Sequence, residues 1–354
     1  MPIDTHPKTK RPTPNTSPKR LRVLISAYAC EPGKGSEAGV GWNMALHMSK
    51  IHDVWVVTRA NNEEVIQPAL PEKDAPHFIY YDLPKWARWW KRGARGAQLY
   101  YYLWQICAGR MLKKHYAGQF DVGHHVTFVR YWMPTCFPKI GIPYIIGPVG
   151  GGEFAPVVFE NRFPWKPRVY EKVRRLIRLA VPLDGFVRAS IANAACVLST
   201  TKESAAKIRK LNARRVEFFP ESGLSRSEFE QLAAIQDNSA SDRFIFVSSG
   251  RLLALKAFEL GLRAFAKADI AHSEYWIIGD GPEMHRLKAL ASTLDIADRV
   301  SFKGWVQRKD GLQLLASTHV LVHPSLHDSG GWVCPEAMAL GKAVICLNLG
   351  GPGA

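Results

Sequence analysis

No two cysteines of this chain form a Cys-x-x-Cys pair; the six, at 30, 107, 136, 196, 334 and 346, are scattered along 354 residues. That spacing supplies neither a zinc ribbon nor a disulfide framework, so the thiols are expected to be reduced and mostly buried. No apolar run reaches the roughly 18 residues that cross a bilayer. The amino terminus lacks the apolar core of a signal peptide. These absences place the chain in a reducing cytoplasm. No Asp-x-Asp metal motif occupies a suitable loop. Gly35, Gly39 and Gly41 do not fit G-x-G-x-x-G, so a dinucleotide fingerprint is missing too.

Acidic residues are few. Thirty-one Asp and Glu stand against 47 Lys and Arg, a formal charge of +16. That excess favours anionic partners: nucleic acid, an acidic membrane surface or a phosphorylated substrate. A hydrophobic share of 47% with 22% charged residues describes a soluble globular chain. Its length suggests two domains.

Residues 1–20, rich in Pro, Thr and Lys, bury nothing and are expected to form a disordered basic tail. Short apolar strands follow: "LRVLISAY", "DVWVVTR", "HFIYYDL", "FDVGHHVTF", "PYIIGPV", "CVLSTT" and "RVEFFP". Helices or loops separate them, as in a parallel α/β sheet. Composition turns polar over 226–242, which reads as a linker. A second series then runs "RFIFVSSG", "EYWIIG", "RVSFKG", "HVLVHP" and "AVICLN". The expected fold is α/β, with two doubly wound Rossmann-like domains, 21–235 and 236–354, facing a cleft. Sites in such domains lie at the carboxyl ends of the strands. The chain stops in the Gly-rich "LNLGGPGA", so the second domain is expected to lack its last units.

In "HDSGGWVCPEAMALGKAV", 327–344, Asp328 and Glu336 flank a Gly-Gly pair and a helix start. Helix starts attract phosphate, and glycines let a ligand approach the backbone. One acid suits a sugar ring and the other a ribose. A capping Asp and a solvated Glu would look the same. Arg251 and Lys256 follow the first strand of the second domain. A guanidinium and an ammonium there suit a diphosphate; two surface cations are the alternative.

Taken together, "GRL" with a Lys five residues after its Arg, "IIGDGPE", "VSFKGWV", and an acid followed after seven residues by "EAMALGKAV" resemble the family-four retaining glycosyltransferases of the GT-B fold. The resemblance covers the second domain and, more loosely, the first. It implies that Arg251 and Lys256 grip the donor diphosphate and that Glu336 holds the nucleotide ribose. It implies that Asp328, where the family usually has Glu, lies near the transferred sugar. Gly331, Trp332 and Val333 would contact sugar and phosphate, and Trp305 and Val306 would border the base. In the first domain the resemblance makes Gly39 and Gly41 parts of a loop closing over the donor phosphates, and gives an active-site role to His124 or His125. Adjacent strand residues face opposite ways, so at most one of the two points into the cleft. Glu37, Gly151, Gly152 and Glu153 are assigned to the acceptor side.

Residues 84–119 mix Trp, Tyr, Lys and Arg without an acid. A plain helix with an aromatic core face, an anionic membrane surface and a nucleic-acid surface all fit. Lipid-linked acceptors, common for enzymes of the resembling type, favour the membrane.

The sequence thus reads as a retaining glycosyltransferase. It would move a hexose from a nucleoside diphosphate sugar to a glycan or lipid-linked acceptor, in the cytoplasm or on the inner membrane face. No metal, cofactor or nucleic acid is expected to take part. A protein that binds a nucleotide sugar or glycan without turnover, an oxidoreductase and a nucleic-acid binder are the competing readings.

Overall fold

A computed structural model describes residues 19–34, 36–91, 93, 95–161, 163–236 and 242–353. The expected tail as far as residue 18, Gly35 and Arg92 lie outside the described residues. In chain order the first domain runs β1 (Arg22–Ser26), α1 (Ser36–Ser49), β2 (Asp53–Arg59), α2 (Glu63–Ile66), β3 (His77–Tyr81), α3 (Ala97–Tyr116), β4 (Val122–His125), β5 (Tyr144–Val149), α4 (Val157–Glu160), α5 (Trp165–Leu179), α6 (Gly185–Ala192), β6 (Cys196–Ser199), α7 (Lys202–Arg209) and β7 (Val216–Phe218). After α8 (Arg226–Ala233) the second runs β8 (Phe244–Ser249), α9 (Phe258–Ala268), β9 (Ser273–Ile278), α10 (Met284–Thr293), β10 (Val300–Gly304), α11 (Arg308–Ala316), β11 (Val320–His323), α12 (Val333–Ala339) and β12 (Ala343–Cys346).

Among the described residues the strands form a seven-stranded sheet, ordered β3-β2-β1-β4-β5-β6-β7, and a five-stranded one, ordered β10-β9-β8-β11-β12. Neighbouring strands pair in parallel throughout, for example β1 with β2 and with β4. Parallel sheets bury both faces, which explains the near-continuous Val, Ile and Leu of the strands. In β1 the alternation sorts residues to two cores. Val23 and Ile25 pack with Val54 and Val56 on one face, while Leu24 joins Val57 and Ile79 on the other. The second sheet divides in the same way: Tyr275 and Ile277 face α9, and Ile278 joins Val247 and Leu321.

A further apolar cluster joins the domains, with Ala155 and Phe163 of the first packed on Ala254, Ala257 and Leu326 of the second. The polar stretch read as a linker over 226–242 contains helix α8. Ser225 caps it, accepting the Glu228 amide while the Glu228 carboxylate takes the Ser225 amide. Such a capping box fixes a helix start locally, whatever the mean polarity. Helix α8 packs on α12 of the second domain, so the chain crosses ahead of it, over residues 219–224.

The 84–119 stretch is mainly a packed helix. Tyr100, Tyr101 and Trp104 of α3 are buried, and the Trp104 indole N–H donates to the Tyr81 carbonyl. Arg88 pairs with Asp82 at 3.3 Å, and Lys91 lies over the Tyr100 ring. Trp86 and Trp89 remain exposed, at 78% and 75%. Among the described residues, no helix is long and apolar enough to cross a membrane.

Candidate active site

The carboxyl ends of β8, β9 and β10 open into a cavity of ≈ 490 Å³. Arg251, Trp305, Val306, Arg308, Val333 and Glu336 line it. Arg251 has no ion-pair or hydrogen-bond partner for its guanidinium among the described residues. Glu336, in the first turn of α12, pairs with Arg308 at 2.6 Å. Burial raises the Glu336 carboxyl above its ordinary value, and Arg308 opposes that rise. Arg308 was not singled out from sequence. It opens α11 just after the Trp305–Val306 loop, one position inside a helix start, where nothing in the local pattern marks it.

A second cavity, of ≈ 660 Å³, lies between the domains. It is lined from the first by Glu37, Arg130, Trp132, Gly151 and Arg178, and from the second by His327 and Ser329. Glu37 accepts the Phe128 amide at 2.6 Å, and burial raises its carboxyl. Arg178 stacks on Trp132, 3.7 Å from the ring centroid, and donates to the Gly151 carbonyl at 2.7 Å. Burial, with Arg174 beside it, lowers the Arg178 guanidinium to about 10. His327 is pushed down to about 4 by burial first, then by Arg174. Glu221, from the crossing segment, also lines this cavity. Its carboxyl is raised by burial and eased by a hydrogen bond with Ser329.

Between the cavities runs the loop from β11 to α12. Asp328 Oδ2 accepts from Lys256 Nζ and from His323 Nε2 at 3.1 Å, and Oδ1 accepts the Gly331 amide at 3.1 Å. Burial opposes ionisation of Asp328. The His323 hydrogen bond and Lys256 outweigh it and hold the carboxyl well below the usual carboxylate range. Asp328 and Lys256 are thus one ion pair, where sequence had treated them as separate contacts.

Several expected roles change. Gly39 and Gly41 are not in a loop; both lie inside α1. A Cβ at Gly41 would sit 2.3 Å from the Ala29 carbonyl oxygen, so this glycine lets the helix press on the backbone after β1. Gly39 lines a further cavity of ≈ 820 Å³ with Trp332, Arg308 and Glu336. His125 is buried in the first domain, where Tyr101 Oη lies 2.8 Å from its Nε2. His124 Nε2 donates to the Gly147 carbonyl at 3.0 Å. Neither lines these cavities; His327 does, and the buried His323 reaches the loop between them only through Asp328. His323 ends β11, the strand-end position that sequence examined only at β4. Glu153 is buried and accepts from Thr201 Oγ1, Ser204 Oγ and the Gly151 amide at 2.5, 2.6 and 2.7 Å. It shapes the Gly150–Gly152 loop. Gly152 packs on Ser204, whose hydroxyl takes its amide proton, and Gly331 packs on Pro352. Among the described residues no three His, Cys, Asp or Glu side chains gather as a metal site.

Two Rossmann-like domains whose strands point their carboxyl ends at a shared cleft define the GT-B architecture. The second of them matches the family model described as glycosyl transferases group 1, over residues 231–354. Two curated relatives from Rhizobium meliloti are lipopolysaccharide core biosynthesis glycosyltransferases. LpsD is 30% identical over 161 residues, covering 45% of this chain and 46% of that protein. LpsE is 32% identical over 115 residues, covering 32% and 33%. The matches thus span less than half of either relative's length. In fold the chain resembles sucrose-phosphate synthase from Thermosynechococcus elongatus, with a TM-score of 0.58 at 18% identity, covering 94% of this chain and 82% of that one.

Proposed function

We propose that this protein is a retaining hexosyltransferase. It takes a nucleoside diphosphate sugar as donor and a hydroxyl of a glycan or lipid-linked acceptor, in cell-envelope or extracellular polysaccharide synthesis, at the cytoplasmic face of the membrane and without a resident metal ion. The observation that carries this reading is the pair of cavities meeting at the 327–333 loop, one inside the second domain and one between the domains. The names of the two relatives support a cell-envelope glycan as acceptor.

The nucleoside occupies the cavity at Trp305 and Val306, with its ribose hydroxyls on Glu336. Its diphosphate lies toward Arg251 and Lys256, which offset the charge that develops as the bond to the sugar breaks. The acceptor enters beside Trp132 and His327. Asp328 already accepts from three donors, which weakens it as a nucleophile; it positions Lys256. Retention then proceeds by same-face attack. The bond from the anomeric carbon to the phosphate oxygen breaks, the bond to the acceptor oxygen forms, and the acceptor proton passes to the departing phosphate oxygen.

Incubation with a panel of sugar nucleotides and cell-envelope glycans tests this. The expected result is release of free nucleoside diphosphate, undiminished by a chelator, with a product of unchanged anomeric configuration by NMR. Binding of a sugar nucleotide without release across the panel would mark a binding protein.

A further inference from the structure

Helix α5 is inside out. Four of its charged residues turn inward: Glu171 is buried, and Arg174, Arg175 and Arg178 wedge against the Phe154 ring. Its apolar residues turn to solvent. Trp165 is 70% exposed, Leu176 69% and Ile177 65%, with Val169, Tyr170 and Val173 on the same side. Exposed Val158 precedes this stripe, and exposed Leu183 and Phe186 follow it. A contiguous apolar face of this extent on a surface helix marks a contact surface.

We propose that this face docks on an anionic lipid bilayer. Charge complementarity selects the occupant. Lys166 and Lys172 are exposed on the outward side, and Arg188 lies near its end. Within 163–192 the only acids are Glu171, which is buried, and Asp184, whose carboxylate is held by the Tyr102 hydroxyl. Apolar side chains fringed by cations without exposed acids match the headgroup boundary of an anionic leaflet. A second copy related by a twofold axis would set these cations against their own kind. Arg174 and Arg178 on the inner side of the same helix line the interdomain cavity, and Tyr170, Val173 and Ile177 along one edge of its apolar face line it too. The docked face thereby holds that cavity against the membrane surface, where a lipid-linked molecule would present its head. The docking surface is α5, and not the 84–119 stretch, whose aromatic residues are largely spent on the core.

Co-sedimentation of the full chain tests this, with vesicles of phosphatidylcholine alone and with vesicles of equal parts phosphatidylcholine and phosphatidylglycerol. The wild type is expected to pellet only with the anionic vesicles, and less at high salt. Trp165→Ser, Val169→Asp and Leu176→Glu together should leave it in the supernatant with unchanged circular dichroism. Should that variant misfold, Lys166→Ser with Lys172→Ser, both fully surface positions, should still weaken pelleting at low salt. Trp86→Ser with Trp89→Ser should leave pelleting intact. Three results would overturn the proposal: a wild type that ignores anionic vesicles at low salt, pelleting lost in the Trp86 and Trp89 variant alone, or a sedimentation-velocity dimer that the α5 changes convert to monomer. No donor or acceptor enters the assay, so docking and transfer stand or fail separately.

Discussion

Lys256 and Asp328, 72 positions apart in sequence, meet as an ion pair beneath the loop that separates the two cavities. Both side chains are largely covered, Lys256 at 27% and Asp328 at 15% exposure. Removing the ammonium leaves a buried carboxylate with only His323 and the Gly331 amide as donors. A charge-assisted hydrogen bond contributes about 1.5–3 kcal/mol. Lys256→Ala should therefore lower kcat/KM for the donor by about 10- to 100-fold. It should also destabilise the fold by about 1–3 kcal/mol in urea unfolding. Adding Asp328→Asn should recover stability without recovering transfer. If the two stability losses simply add, the residues are not coupled.

Glu336 and Arg308 should act on donor affinity. Glu336→Gln is expected to weaken nucleotide binding about tenfold, which is about 1.4 kcal/mol, with little change in turnover at saturation. Burial raises the Glu336 carboxyl and Arg308 opposes it. Arg308→Ala should then make the carboxyl protonate at higher pH, and nucleotide affinity should begin to fall at a higher pH than in the wild type. Titration calorimetry across pH checks the shift; an unmoved profile would show that ionised Glu336 plays no part in binding.

Acid should unfold the protein through its histidines before its carboxylates. Burial holds His125 down to about 3 and His327 down to about 4, and lowers His124 as well. The unfolded chain protonates near the ordinary value of about 6.5, so these groups support the fold above that pH and lose the contribution as pH falls. By about pH 4.5, His125 and His327 should each have withdrawn about 2–3 kcal/mol. Urea midpoints at both ends of this range measure the slope, and His327→Gln should flatten it.

Gly41→Ala should destabilise, although alanine is ordinarily the better helix former by about 1 kcal/mol. Its Cβ would lie 2.3 Å from the Ala29 oxygen and 2.9 Å from Thr127 Cγ2. Overpacking of this kind costs about 1–3 kcal/mol, read in urea unfolding.

The strands were legible in the sequence because parallel strands are apolar on both faces, and the two-series order followed from them. Arg251, Val306, Val333 and Glu336 were legible because a family resemblance fixed their order, and the structure brings them to one cavity. Gly39 and Gly41 were misread because a glycine that permits close packing looks the same in sequence as one that permits a turn. Helix α8 was missed because a capping box is a local signal within a polar stretch. Helix α5 could not have been read correctly at all. Periodicity reports that a helix has an apolar side, but not which side faces the protein. Arg178 and Trp132 come together from separate elements, and no spacing records that.

Glu221 and Ser222 belong to the segment on which the chain crosses from one domain to the other. The Ser222 hydroxyl donates to the Gly330 carbonyl at 2.9 Å. The joint of the molecule is thus tied to the loop between its cavities. Any swing of one domain against the other pulls on Gly330, and any shift of that loop loads the joint. A substitution in the crossing should therefore reach the loop between the cavities even where it lines neither of them, so hinge and site are inherited together.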